Sequence, residues 1–126
     1  MPSVSGNPIH LQVPTPKGVG GRLVVVFGTK GGVGKTRVAT NLAVSIAQRL
    51  RKPVCLVDLD TTAVGDAAKV LNLTVTRSIA DLMPTLQRTA SSETISLEGA
   101  VMPHASGVHV LSCLTTPRQV NQLNPH

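Results

Sequence analysis

Five residues of this 126-residue chain have types and spacing that could do chemistry together: Lys30, Lys35, Thr36, Asp58 and Asp60. The first three lie in one stretch, Gly28-Thr29-Lys30-Gly31-Gly32-Val33-Gly34-Lys35-Thr36-Arg37. Glycines at this density let the backbone curl so that successive N–H groups point inward, which makes a concavity for phosphate oxygens. A helix that begins at the end of such a loop adds its unpaired N-terminal N–H groups and the positive end of its dipole. Lys35 would then reach terminal phosphates, and the Thr36 hydroxyl would ligate Mg²⁺. The strict G-x-x-x-x-G-K-[ST] pattern is not met, because Thr29 occupies the first glycine position. Lys30-Gly-Gly-Val-Gly-Lys-Thr36 instead matches the deviant form of the loop, with an added lysine at its start. Asp58 and Asp60 follow an apolar run and are poor material for a core. Beside a phosphate loop, such acids hold Mg²⁺ through water or orient an attacking water; otherwise they cap or solvate a loop end.

Positioning these groups requires particular elements. The apolar run 22–28 reads as a buried strand that delivers the loop. A helix is expected over 35–51, with Val38, Leu42, Ile46 and Leu50 recurring every four residues beside Ala39, Ala43 and Ala47. Pro53 stops it. A second strand over 54–57 ends in Asp58-Leu59-Asp60. Asp66 is expected to cap a short helix over 67–71. Ser78-Ile-Ala-Asp81 reads as the start of another helix, with Asp in the capping-box position, and Pro84 should kink or end its first turns. Residues 89–96 read as a loop, and 100–102 with 108–113 as a hairpin around Ser106-Gly107. The tail 114–126 shows no clear element. Pro and Gly at residues 1–21 read as a flexible leader or linker. The β-α-β-α-α-β-β pattern predicts an α/β layer fold with a parallel core and a ligand site at the carboxyl ends of the strands.

Composition narrows the field. Apolar residues make up 41% of the chain with Phe27 as its single aromatic, so the core rests on aliphatic side chains. Net charge is +6, and residues 1–52 carry eight Lys or Arg and no acid. Such a field draws polyanionic nucleotides, and DNA is a weaker alternative because no basic run or basic-aromatic interleaving accompanies it. Cys55 and Cys113 lie in apolar runs and read as two buried thiols without metal-ligand spacing, and His10, His104, His109 and His126 are scattered. No signal-peptide pattern and no membrane-length apolar run is present, so the expected location is the cytoplasm.

The Lys30–Thr36 loop, the phrase Ala39-Thr40-Asn41-Leu42-Ala43 and Val57-Asp58-Leu59-Asp60 together resemble the MinD/ParA family of P-loop ATPases. Gly65-Asp66-Ala67-Ala68, Leu71-Asn72-Leu73, Thr76–Leu82 and His104–Leu111 resemble its CpaE/TadZ branch, associated with Flp/tight-adherence pilus assembly and polar placement. The resemblance spans about residues 22–123. It implies a P-loop NTPase fold of the SIMIBI/MinD type, a parallel sheet flanked by helices, and ATP with Mg²⁺ as ligands. By position, Gly31, Gly32, Val33 and Gly34 correspond to the backbone cradle and Lys35 to the phosphate lysine. Thr36 corresponds to the Mg²⁺ ligand, and Asp60 to the acid that organises hydrolytic water. Asp58 corresponds to its strand-end neighbour, beside the metal. Lys30 corresponds to the lysine that reaches the partner's phosphates across an ATP-sandwiched homodimer. Arg37 stands where relatives have Thr or Ser against the α-phosphate.

The strand carrying the family's third acidic motif has no counterpart before His126. The resemblance therefore implies that 22–126 is the N-terminal portion of such a domain, C-terminally incomplete and at best marginally folded alone. Function is expected to be an ATP-driven switch in pilus assembly or cellular positioning. The alternatives are a nucleotide-dependent binding module without turnover and a DNA-partition ATPase.

Overall fold

A computed structural model describes residues 20–31, 34–89 and 94–123. The chain forms two compact units, Met1–Lys35 and Thr36–His126. Most of the expected leader lies outside the described residues, as do part of the 89–96 loop and the last three residues.

In the first unit the expected strand is absent. Residues 21–28 have no regular structure, and Leu23, Val24 and Phe27 are 61%, 58% and 72% exposed. Strand preference is the fit of a side chain to a pleated, half-covered surface and not an intrinsic property of the backbone. Without a hydrogen-bonded neighbour among the described residues, the run is no strand.

The second unit is built on a three-stranded sheet. Its strands are β1 (Val54–Asp58), β2 (Val101–Pro103) and β3 (Val108–Ser112), in the order β1-β3-β2. β1 and β3 are parallel, with Val54 opposite Val108 and Asp58 opposite Ser112, whereas β2 and β3 form the expected antiparallel hairpin. Gly107 turns the hairpin at φ 92°, where a side chain would be strained. The intervening helices are α1 (Lys35–Arg49), α2 (Asp66–Val70) and α3 (Ile79–Arg88).

Both faces of central β3 are covered. Val108 and Val110 pack with Ala43 and Ala47 of α1 and Ala68 of α2, while Leu111 on the opposite face packs with Leu82 of α3. This is the α/β layering expected from the sequence, on a sheet that is mixed and not wholly parallel. β1 is an edge strand whose alternate residues Cys55 and Val57 are exposed. Cys55 therefore departs from the expected buried thiol, whereas Cys113 is buried. Its place on the uncovered face of an edge strand is the reason.

Further differences have local causes. α1 buries Thr40, Ala43 and Ala47, and the expected stripe residues Val38, Leu42 and Leu50 are exposed. Small side chains at 43 and 47 let the helix lie close to the sheet, and a Cβ on Gly107 would be 3.8 Å from that of Ala47. α3 continues through Pro84 to Arg88. Asp81 fixes its start, accepting a hydrogen bond from the Ser78 N–H (2.8 Å), as the capping-box pattern predicts, and a further one from the Ser78 hydroxyl (2.9 Å). The tail expected to be irregular forms a 3₁₀ helix, Pro117–Gln122. Thr116-Pro117-x-Gln119 carried the signal: a capping hydroxyl, proline at the first position and Gln at the third.

Candidate functional site

The glycine-rich loop belongs to the first unit. Lys30 and Gly31 are exposed and Gly31 lies in a turn, while Gly32 and Val33 fall outside the described residues. Gly34 has φ 85°, a left-handed conformation open to glycine at little cost. A Cβ built on Gly31 or Gly34 would meet nothing within 4 Å, so neither position is crowded by the described residues. Lys35 is the first residue of α1, and its Nζ donates to the Gly28 carbonyl at 3.5 Å. The ammonium thus folds back across the loop toward the residue at which it begins. The first turn of α1 contains no acid to neutralise the positive end of the helix.

In the second unit, Thr36 is half-buried and Arg37 exposed. Thr40, itself buried, donates its hydroxyl to the Thr36 carbonyl at 2.8 Å and to the Arg37 carbonyl at 3.1 Å. These bonds pin the first turn of α1 from within.

The two acids also lie in the second unit and do different things. Asp58, the last residue of β1, accepts hydrogen bonds from the Asp60 N–H at Oδ1 and the Ala67 N–H at Oδ2, both at 3.1 Å. One carboxylate therefore clamps both ends of the 59–66 loop. It also supplies the N-terminal cap of α2, the task expected of Asp66; Asp66 instead is the first helical residue and pairs with Lys69 at 3.7 Å. Asp60 is turned into its own loop, where Oδ1 accepts from the Thr62 N–H at 2.8 Å and hydroxyl at 2.5 Å. Burial, and then the nearby Asp58 charge, push the Cys113 thiol above its ordinary value.

The family profile of the CobQ/CobB/MinD/ParA nucleotide binding domain matches residues 24–106. The chain belongs to this family. The matched span of this nucleotide-binding domain takes in the glycine-rich loop, α1, and both acids. Among curated proteins none matches the chain. No helix among the described residues is long and apolar enough to cross a membrane.

Two features of this MinD/ParA-type domain escape a reading of the sequence. Gly65 is buried at φ 63°, and a Cβ there would lie 2.8 Å from Val75 Cγ2. Ser112, opposite Asp58 on β3, is fully buried, and its hydroxyl has no hydrogen-bond partner among the described residues. A glycine directly before a short helix was a readable sign of the first; nothing in the sequence marks the second.

Proposed function

We propose that the chain binds ATP with Mg²⁺ at the 28–37 loop and acts as a nucleotide-dependent switch of the MinD/ParA kind. The observation that carries this reading is Lys35, folded over an open glycine loop at the acid-free start of α1. The residues fit the ligand chemically. Gly31 and Gly34 leave the space a phosphate needs, and the loop and helix N–H groups are donors for its oxygens. Lys35 would neutralise terminal phosphate charge, Thr36 and Asp58 would hold the magnesium ion, and Arg37 would lie at the α-phosphate end. When bound, the magnesium ion supplies charge neutralisation on the phosphate oxygens. Lys30 would act across an ATP-dependent homodimer, and Asp60 would orient the attacking water. Partnership with pilus-assembly or positioning machinery is supported by the CpaE/TadZ-like phrases alone, and a DNA-partition role by charge alone.

One observation favours binding without turnover. Asp60, the acid assigned to the water, is engaged by two donors of Thr62. Equilibrium titration with a fluorescent ATP analogue, paired with phosphate release, tests both readings. The wild-type chain should bind in Mg²⁺ more tightly than in EDTA, and Lys35→Ala should weaken binding at least tenfold. Equal affinities of the two chains would overturn the assignment. Binding with phosphate release at the buffer rate would select the switch without turnover. Loss of retention on DNA as salt rises would bring back the partition role.

A further inference from the structure

The fully buried Ser112 hydroxyl has no partner among the described residues. A buried hydroxyl left unpaired is destabilising where alanine would fill the position without that cost. Its surroundings name its partner. Ser112 stands opposite Asp58 in the parallel β1–β3 ladder, and directly opposite residues of neighbouring strands point to the same face. Strands lie about 4.8 Å apart, so the hydroxyl and the carboxylate are within reach of one another after a rotamer change. Asp58 instead spends its oxygens on the Asp60 and Ala67 N–H groups, which hold the 59–66 loop down. That loop covers Ser112: a Cβ on Gly65 would be 3.9 Å from its hydroxyl oxygen.

We propose that Ser112 is a positioning residue for Asp58, its hydroxyl replacing the Ala67 N–H as donor to the carboxylate when the 59–66 loop lifts. Asp58 thus has two holds. In one it clamps the loop and caps α2. In the other the loop is released and the carboxylate stays anchored to the sheet by Ser112, ready to serve a cation. The exchange of partners needs no ligand; its connection to magnesium rests on the nucleotide-binding reading above.

Amide hydrogen exchange on the full chain tests the exchange of partners. Removing the donor of the lifted state makes lifting harder, so Ser112→Ala should slow exchange of the Ala67 amide about tenfold, the scale of one hydrogen bond to an ionised acceptor. Val110, in the ladder, is the reference. A hydroxyl that is only a misfit in the core would slow Ala67 and Val110 alike. In an Asp58→Asn background the selective effect should fall below about twofold, because the ionised acceptor is gone. Equal slowing at both amides, unchanged or faster Ala67 exchange, or an undiminished effect in Asp58→Asn would each overturn the proposal. A second arm reads the magnesium link: Ser112→Ala should weaken binding of the ATP analogue in Mg²⁺ and leave it unchanged in EDTA. If the wild-type chain binds no ATP, the nucleotide reading fails and the exchange data alone decide the role of Ser112.

Discussion

Replacing Gly65 with alanine should be among the most damaging single-methyl additions in the second unit. Gly65 has φ 63°, where an L-residue is disfavoured by about 1–2 kcal/mol. The added Cβ would also stand 2.8 Å from Val75 Cγ2, closer than two carbons approach without movement. Val75 is stiff at χ1 and packs against the cluster around Val108 and Val110, so it cannot simply swing aside. Overpacking of this kind costs about 1–3 kcal/mol. The sum, about 2–5 kcal/mol, should lower the urea midpoint by roughly 1–5 M at an m-value near 1–2 kcal/mol/M. Val75→Ala should separate the two terms. It removes the atom that is struck, so in its background the added cost of Gly65→Ala should shrink to about 1–2 kcal/mol, the backbone part. Urea unfolding of the four chains, followed by circular dichroism, gives the cycle. A Gly65→Ala midpoint within about 0.3 M of wild type, or a loss undiminished by Val75→Ala, would refute the reasoning.

Asp81 ties the start of α3 to the 3₁₀ helix, accepting from Ser78, from the Thr115 hydroxyl at 3.0 Å and from Gln119 Nε2 at 2.7 Å. Asp81→Ala should cost about 1 kcal/mol, as loss of a helix cap does, and should loosen 115–122 in limited proteolysis. Partial burial pushes the Asp81 carboxyl up, but the hydrogen bonds from Ser78, Thr115 and Gln119 together hold it below its ordinary 3.8. Its stabilisation is therefore present above pH 3.8 and lost as pH falls through the lower folded value, so a pH–stability curve of Asp81→Asn should converge on wild type in acid. Thiol labelling under native conditions should modify exposed Cys55 first, slowed by the partial desolvation that raises its pKa, and reach buried Cys113 only on unfolding. Two equally fast thiols would contradict the packing around Cys113. Because Phe27 is 72% exposed, Phe27→Lys should leave the unfolding free energy within about 0.5 kcal/mol of wild type and raise solubility; a larger loss would mean the residue is packed.

The sequence was most legible where the signal was local. The apolar run after Pro53 marked β1 nearly to the residue, and Ser78 with Asp81 marked the start of α3 through a hydrogen bond the pattern itself implies. The hairpin around Gly107 announced itself by a turn only glycine favours. What failed depended on neighbours. Leu23–Phe27 has strand-forming residues and joins no strand among the described residues. The apolar stripe of α1 lost to its alanines because closeness of approach, and not hydrophobicity alone, decides which helix face meets a sheet. The candidate loop was readable from its glycines and Lys35. That Asp58 caps α2 across nine residues, and that Ser112 lies beside it, are facts of register between strands that no local window contains.

The sheet order has a consequence for how the chain is made. β3, the last of the described strands in sequence, lies in the middle, so neither β1 nor β2 has a described neighbour until it arrives. Val54 must wait for Val108 to leave the ribosome, roughly 3–10 s at ~5–20 residues per second. Through that interval the aliphatic run of β1 exists as an unpaired segment behind an equally unpaired 22–28. Chaperone demand should therefore persist until β3 leaves the exit tunnel and fall sharply after it, so chains stalled with β3 still inside the tunnel should bind a holdase that chains stalled with β3 outside it no longer bind.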